Sequence, residues 1–448
     1  MSRVLCVDVG STFTKAVVVE TETGELVARA ETPTTVTTDV LDGYRTARGM
    51  VEAQLVDPAL GGAGSIDDVL LCSSAGGGLR LAVVGYERTV TAEAGHRVGL
   101  SAGAKVVHVS AGELDAQGIR DLRASRPDVV LLVGGTDGGN AEVLRHNATR
   151  LARARVTMPV VVAGNAAARD EVVAILQETG RRVVATDNVV PRIGVIAPEG
   201  ARAAIREVFL EHVIGGKGLS RGPELARLVR AATPAAVLSG VEVLAALHDG
   251  DVLVVDVGGA TTDVYSVIEP QGEDATLRKH VVGTLWAMRT VEGDLGMRWN
   301  APTIVEAAPD EGLAVSEGLS AYADRVHADT GHLPVDATER RHDAELARLA
   351  ATIAVRRHAR PDRPTGDIAL VLGSGGALRH GGQPGGSTAG DSTAGEVLGA
   401  VTSDWAGGWR VPDQARTAVD VDYVLCAVGL LAGVDEAAAR RVAARLLR

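Results

Sequence analysis

Two segments of this chain repeat one local pattern: a Val-rich strand, an Asp at its end, one further residue, a Gly, and then small or hydroxyl-bearing residues that lead into a second strand. The first is Asp8-Val9-Gly10-Ser11-Thr12-Phe13-Thr14-Lys15, and the second is Asp256-Val257-Gly258-Gly259-Ala260-Thr261-Thr262-Asp263. In each, a buried strand delivers a carboxylate into a turn whose Gly lets the backbone approach a ligand closely. Free N–H groups and hydroxyls then offer donors to phosphate oxygens. The Asp supplies negative charge to a Mg²⁺ that keeps most of its waters. One such loop alone would be an ordinary strand-turn-strand. Two, each opening a hairpin, point to related half-folds that share one phosphate chain. A third element, Val371-Leu372-Gly373-Ser374-Gly375-Gly376-Ala377-Leu378, ends a strand in Gly-Ser-Gly-Gly before a helix. It leaves no bulky side chain to block a base and ribose.

A chain of 448 residues exceeds one compact core, so two or more domains are expected. Aromatic residues are only 2% of the composition, which leaves Val, Leu, Ala and Ile to build the core and favours buried parallel strands flanked by helices. The formal charge of -12 argues against a general nucleic-acid-binding surface. Met1 runs almost directly into the strand-like Arg3–Val9, with no signal-peptide pattern. The apolar stretches fall short of the roughly 20 residues that span a bilayer. Cys6, Cys72 and Cys426 are far apart in apolar runs without CxxC spacing, as buried reduced thiols are. A cytoplasmic protein with no membrane partner is expected.

Along the chain, strands are expected at Arg3–Val9, Thr14–Glu20, Glu25–Glu31 and Asp68–Cys72, with a helix from about Val40 to Leu55. These open an ATPase domain over 1–72. Residues 73–215 alternate short Val-rich runs (Val106–Val109, Val129–Val133, Val160–Ala163, Arg182–Ala185) with helical patterns such as Ala141–Arg155 and Arg169–Glu178. That texture gives a Rossmann-like inserted α/β domain. Residues 216–448 return to the ATPase core with a helix at Ala235–Leu247 and a strand at Val252–Val257. Helices dominate 289–360, and Arg289-Thr290 reads as a helix start followed by the acids Glu292 and Asp294. A strand at Ile368–Leu372, a last strand near Tyr423–Val428 and a helix at Glu436–Leu447 close the chain. Residues 381–395 read as a flexible surface loop.

The ordered set of two Asp-Gly loops and a late Gly-rich loop resembles the actin, hexokinase and heat-shock-chaperone ATPase superfamily. The fold it implies is an actin-like α/β ATPase of two related half-domains. By that resemblance Asp8 and Asp256 hold Mg²⁺ and its waters, and Asp263 joins them as a catalytic candidate, although it also reads as a turn-capping residue. Gly10, Ser11, Thr12, Thr14 and Lys15 would bracket the β- and γ-phosphates of ATP together with Gly258, Gly259, Ala260, Thr261 and Thr262. Gly373, Ser374, Gly375 and Gly376 would face adenosine. Further segments are similar to one narrower group. They are Ser73-Ser74-Ala75-Gly76-Gly77-Gly78-Leu79-Arg80, Gly134-Gly135-Thr136-Asp137-Gly138-Gly139-Asn140, Ala163-Gly164-Asn165 and Arg289-Thr290-Val291-Glu292-Gly293-Asp294-Leu295-Gly296. With the two loops, they resemble the GlmL family of accessory proteins to adenosylcobalamin-dependent glutamate mutase.

That resemblance implies an ATP-driven reactivating chaperone whose partners are mutase subunits, with hydrolysis serving the chaperone role and a homodimer left open. The inserted domain would face the partner, and without DxHxxG nothing indicates cobalamin binding by the chain itself. Asp137 and Asn140 also read as turn formers, and Glu292 and Asp294 as helix-start acids or as groups that order water or Mg²⁺. The competing reading is a small-molecule kinase or an ATP-dependent hydrolase subunit of the hydantoinase or acetone carboxylase type. Such an enzyme needs a general base near the γ-phosphate, and Asp137, Glu242, Glu292 and Asp294 are undistinguished candidates.

Overall fold

Short β-branched runs that alternate with Ala- and Leu-rich helices give this chain its α/β layering. A computed structural model describes residues 2–56, 65–75, 79–87, 91–102, 104–214, 218–221, 223–248, 250–268, 287–359, 365–380 and 393–447. The chain divides into two compact units. The first carries β1 (Arg3–Val9), β2 (Phe13–Glu20), β3 (Glu25–Pro33), β4 (Asp68–Ser73) and β5 (Arg80–Gly85). It continues through β6 (Lys105–Ala111), β7 (Val129–Leu132), β8 (Val160–Val162), β9 (Val183–Ala185) and β10 (Val229–Ala232). The second is built on β11 (Val252–Val257), β12 (Thr262–Val267), β13 (Ala287–Glu292), β14 (Leu370–Ser374) and β15 (Arg416–Val419).

The same wiring occurs in both units. In the first, the sheet runs β10-β4-β1-β2-β3, and in the second β13-β12-β11-β14-β15. Each places its first strand at the centre, antiparallel to the second and parallel to the fourth. The fold is therefore the actin-like α/β type, with one half-domain built around each Asp-Gly loop. Between β4 and β10 lies a third sheet, ordered β6-β5-β7-β8-β9, and every pairing within it is parallel.

Both faces of this third sheet are covered, as a parallel sheet requires. Ala82, Val84, Val130 and Leu132 point into a cluster with Ile119, Leu122, Leu144 and Leu151 of the neighbouring helices. Their alternates Leu81, Val83, Val129 and Leu131 belong to a different cluster, which runs on without a break to Leu5, Val7 and Val18 of the first sheet. The core of the second unit packs Leu253, Val255 and Val257 against the helices Ala301–Asp310, Leu319–Ala328 and Ala337–His358.

Two expected elements take another form. Arg289–Glu292 is not a helix start but the end of β13, an edge strand beside β12. The run around Tyr423–Val428 is not a strand: Leu425–Ala432 is a helix, and the final strand is β15, earlier in the chain. Leu425–Ala432 is apolar on nearly every side and almost wholly buried, so its pattern lacks the polar face that marks a surface helix. The strands β5 and β10 were not expected. Of the Gly-rich loop read at 381–395, residues 381–392 lie outside the described residues, and Thr393 begins a helix that runs to Ser403. Gly76–Gly78 also lie outside them.

The long helix Ala337–His358 starts at an N-cap, Asp336, whose carboxylate accepts from the amides of Thr338 and Glu339, both at 2.8 Å. Its last turn carries Arg356, Arg357 and His358, cations favoured at a helix C-terminus. Asp336→Ala should cost about 1 kcal/mol and lower the melting temperature by about 2–4 °C. Differential scanning calorimetry measures it, and Asp336→Asn should retain most of the lost stability.

Candidate functional site

The two Asp-Gly loops make the same turn. The amide of Gly10 donates to the carbonyl of Phe13 at 3.0 Å, and that of Gly258 to the carbonyl of Thr261 at 2.9 Å. A Cβ on Gly10 would come within 2.7 Å of the Phe13 oxygen, and one on Gly258 within 2.8 Å of the Thr261 oxygen, so neither position accepts a side chain without movement. Among the described residues, the amides of Ser11, Thr12, Gly259 and Ala260 donate to no protein acceptor. Each loop therefore presents backbone donors beside a carboxylate, a donor set that suits phosphate oxygens and a hydrated hard cation.

In the first unit, Asp8 is 5% exposed and stands between Lys15 on β2 and Cys72 on β4. Its Oδ1 accepts from Thr233 Oγ1 at 2.5 Å and from the Cys72 thiol at 3.5 Å. Burial, the neighbouring Cys72 and Asp68 push the Cys6 thiol far above its ordinary value, so it stays protonated. All three cysteines are buried and free. Ser11 is exposed, whereas Thr14 is fully buried with its hydroxyl 3.0 Å from that of Thr34.

In the second unit, Asp256 is half-buried between Asp263 on β12 and Ser374 on β14. Asp263 accepts from Arg289 at 2.8 and 3.2 Å and from Thr261 Oγ1 at 3.0 Å. Burial works against the Arg289 charge, yet Asp263 and Tyr265 hold its guanidinium above the ordinary arginine value. The same guanidinium lies 5.7 Å from the Tyr265 ring centroid. Gly375 adopts φ +100° with its α-carbon against this loop: a Cβ there would meet the Val257 carbonyl oxygen at 2.1 Å and Asp256 Oδ1 at 3.0 Å. Thus Gly373–Gly376, read as the third element of the site, does abut the second loop. Only Gly can occupy that combination of φ and contact.

A segment absent from the sequence-derived site braces the second loop. The amides of Met297, Arg298 and Trp299 donate to the carbonyls of Gly258 and Gly259, at 3.1, 2.9 and 3.0 Å. Asn300 Nδ2 reaches the Ala260 carbonyl at 3.1 Å, and Thr262 Oγ1 donates to the Leu295 carbonyl at 2.7 Å. With the loop's carbonyls drawn to this side, its amides are left for the other. The signal was the Gly-Asp-Leu-Gly run just upstream, which marks a tight approach but not its target.

The acids considered as general bases are all engaged. Arg357 Nη1 lies 2.8 Å from Glu292 Oε2 and 2.9 Å from Asp294 Oδ2. Asp137 Oδ1 accepts from the Ala166 amide and from Asn188 Nδ2, both at 2.8 Å. Asn165 ties the same Gly134–Asn140 loop through the Gly138 amide and the Gly139 carbonyl. Asn140 accepts from the Glu142 amide at 2.7 Å, which makes it a turn former. Glu242 is half-buried in the helix Thr233–His248 and has a partner of its own. No helix among the described residues is long and apolar enough to cross a membrane.

A family model described as MutL protein matches residues 4–447. Protein MutL of Clostridium tetanomorphum is 34% identical over 464 residues, covering 96% of each chain. Among solved structures, a nucleotide-free acetone carboxylase shares 14% identity at a TM-score of 0.41, covering 96% of this chain and 70% of that one. The ATP-dependent caprolactamase of Pseudomonas jessenii has the same identity and coverage at a TM-score of 0.38.

The Arg289–Asp263 pair supports a prediction. Arg289→Leu strands a buried carboxylate and should destabilise the protein by about 3–5 kcal/mol. The double variant with Asp263→Leu should recover much of that loss, because it removes both charges. Urea unfolding of wild type, both single variants and the double variant reads the coupling, and additive losses would contradict it.

Proposed function

This chain belongs to the MutL protein family, and from that membership we propose that it is an ATP-binding, slowly hydrolysing accessory protein of the GlmL type. Its client in this reading is an adenosylcobalamin-dependent mutase, either glutamate mutase or an amino-mutase. The observation that carries the nucleotide part is the matched pair of turns at Gly10 and Gly258, each beside the Asp of a central strand. The client part rests on the family and on the GGTDGGN and RTVEGDLG segments.

Mg-ATP, when bound, supplies the phosphoanhydride whose cleavage drives the cycle. Asp8 and Asp256 would hold the water shell of Mg²⁺, and the amides of Ser11, Thr12, Gly259 and Ala260 would donate to phosphate oxygens. The hydroxyl of Thr261 and the ammonium of Lys15 belong to the same lining, and Gly373–Gly376 faces the nucleoside. Asp263 keeps the second loop in register through Arg289 and Thr261, a supporting role beside Asp256. The free energy of hydrolysis loosens the client so that a damaged cobalamin leaves it. Glu292, Asp294, Asp137 and Asp263 are each held by donors of the fold, so none of these four is poised as a strong base. Hydrolysis by the chain alone is therefore slow, and the client completes or reshapes the site.

Asp8→Asn and Asp256→Asn should each weaken Mg-ATP binding by at least about tenfold while leaving the folded protein intact. Isothermal calorimetry tests this, and unchanged affinity in both variants defeats the site assignment. Turnover without a client should stay well below about 10 s⁻¹, and addition of the mutase should raise it. Fast phosphorylation of a small acceptor would favour a kinase instead.

A further inference from the structure

Asp8 ends β1 inside the fold, and its two oxygens are not equivalent. Oδ1 takes both the Thr233 hydroxyl at 2.5 Å and the Cys72 thiol at 3.5 Å. Oδ2 lies toward the Gly10 turn, 3.9 Å from where a Cβ on Gly10 would stand. Thr233 is 8% exposed and opens the helix Thr233–His248 directly after β10. Its sequence distance from Asp8 is 225 residues, so this is a tertiary contact that the fold builds deliberately around one carboxylate oxygen.

We propose that Thr233 is the positioning residue for Asp8: its hydroxyl anchors Oδ1 and so aims Oδ2 at the loop, where the hydrated divalent cation of the nucleotide binds. The proposal rests on the Mg-ATP reading above and deepens it. A carboxylate with both oxygens free would rotate about its terminal torsion, which is broad and weakly restrained. A charge-assisted hydrogen bond from a buried hydroxyl removes that freedom. Partners that orient a group holding a cation's ligands tune the affinity of the site. The Cys72 thiol, a weak donor, supports the same oxygen at longer range. The second loop is arranged differently. There, Ser374 occupies the ladder position beside Asp256 that Cys72 occupies beside Asp8, and Arg289 manages the neighbouring Asp263. The two aspartates therefore respond differently to loss of their neighbours.

The test is equilibrium binding, without turnover. ATP affinity is measured by calorimetry in EDTA and then across a Mg²⁺ titration for wild type, Thr233→Val, Thr233→Ser and Asp8→Asn. Thr233→Val keeps the shape and removes the donor. It should leave metal-free ATP binding unchanged and raise the Mg²⁺ concentration for half-maximal enhancement by up to about tenfold. Thr233→Ser, which keeps the hydroxyl, should restore the wild-type value. If Asp8→Asn loses the Mg²⁺ enhancement while Thr233→Val keeps it, the positioning role is overturned and the Mg-ATP reading survives. Should Asp8→Asn itself leave the enhancement intact, the reading on which the proposal stands fails. If Thr233→Val also loses metal-free binding, Thr233→Ala is used in its place. Equal losses with and without Mg²⁺ in both variants would make Thr233 merely structural and overturn the proposal.

Discussion

A carboxylate inside a wall of β-branched side chains is tolerated only where donors meet it, because an unpaired buried charge costs several kcal/mol. Much of this chain's tertiary structure can be read as the supply of those donors. Asp8 is met by Thr233 at the head of a helix that begins after the whole inserted sheet. Asp263 is met by Arg289 from the next strand of its sheet. Asp420, which is fully buried, accepts from the amides of Val424 and Leu425 at 2.8 and 3.0 Å. The first pairing fixes where a segment 225 residues away must return, the second ties a neighbouring strand to the loop, and the third holds a local turn.

The two halves share wiring and turn geometry but differ in how the turn is defended. The second loop is enclosed by backbone: Met297–Trp299 takes its carbonyls and Gly375 presses on its base. The first loop has one backbone brace, the Thr34 amide on the Thr12 carbonyl at 2.8 Å, and relies otherwise on the side chains of Thr34, Thr233 and Cys72. A backbone brace tolerates most substitutions outside its glycines, whereas a side-chain brace fails one residue at a time. Duplication of a fold has therefore not duplicated its sensitivities.

The loops, the central strands and the helix Val40–Leu55 were legible in the sequence because each is written locally, as alternation, a turn residue and a cap. The errors fall where the local signal has two meanings. Arg-Thr-Val-Glu followed by acids reads as a helix N-terminus, but the chain uses Arg289 to neutralise Asp263, and that demands a strand. Leu-Cys-Ala-Val-Gly-Leu-Leu-Ala is uniformly apolar, and a short buried run carries no period to separate helix from strand. Thr233 was invisible for another reason. A single Thr before a Pro carries no mark of a carboxylate that lies more than two hundred residues away.

The apolar cluster that joins Leu81, Val83 and Leu131 to Leu5, Val7 and Val18 sets a limit on how this family can diversify. An insert connected only by its two chain crossings could be exchanged between relatives as a cassette. Here one face of the inserted sheet is shared with the sheet that carries Asp8, so a transplanted insert would bring half of a foreign core. Sequence change is then more readily accommodated on the outer helices Ala116–Ala124, Glu142–Arg153 and Arg169–Gln177, which pack on the opposite face and can vary without recutting that shared wall.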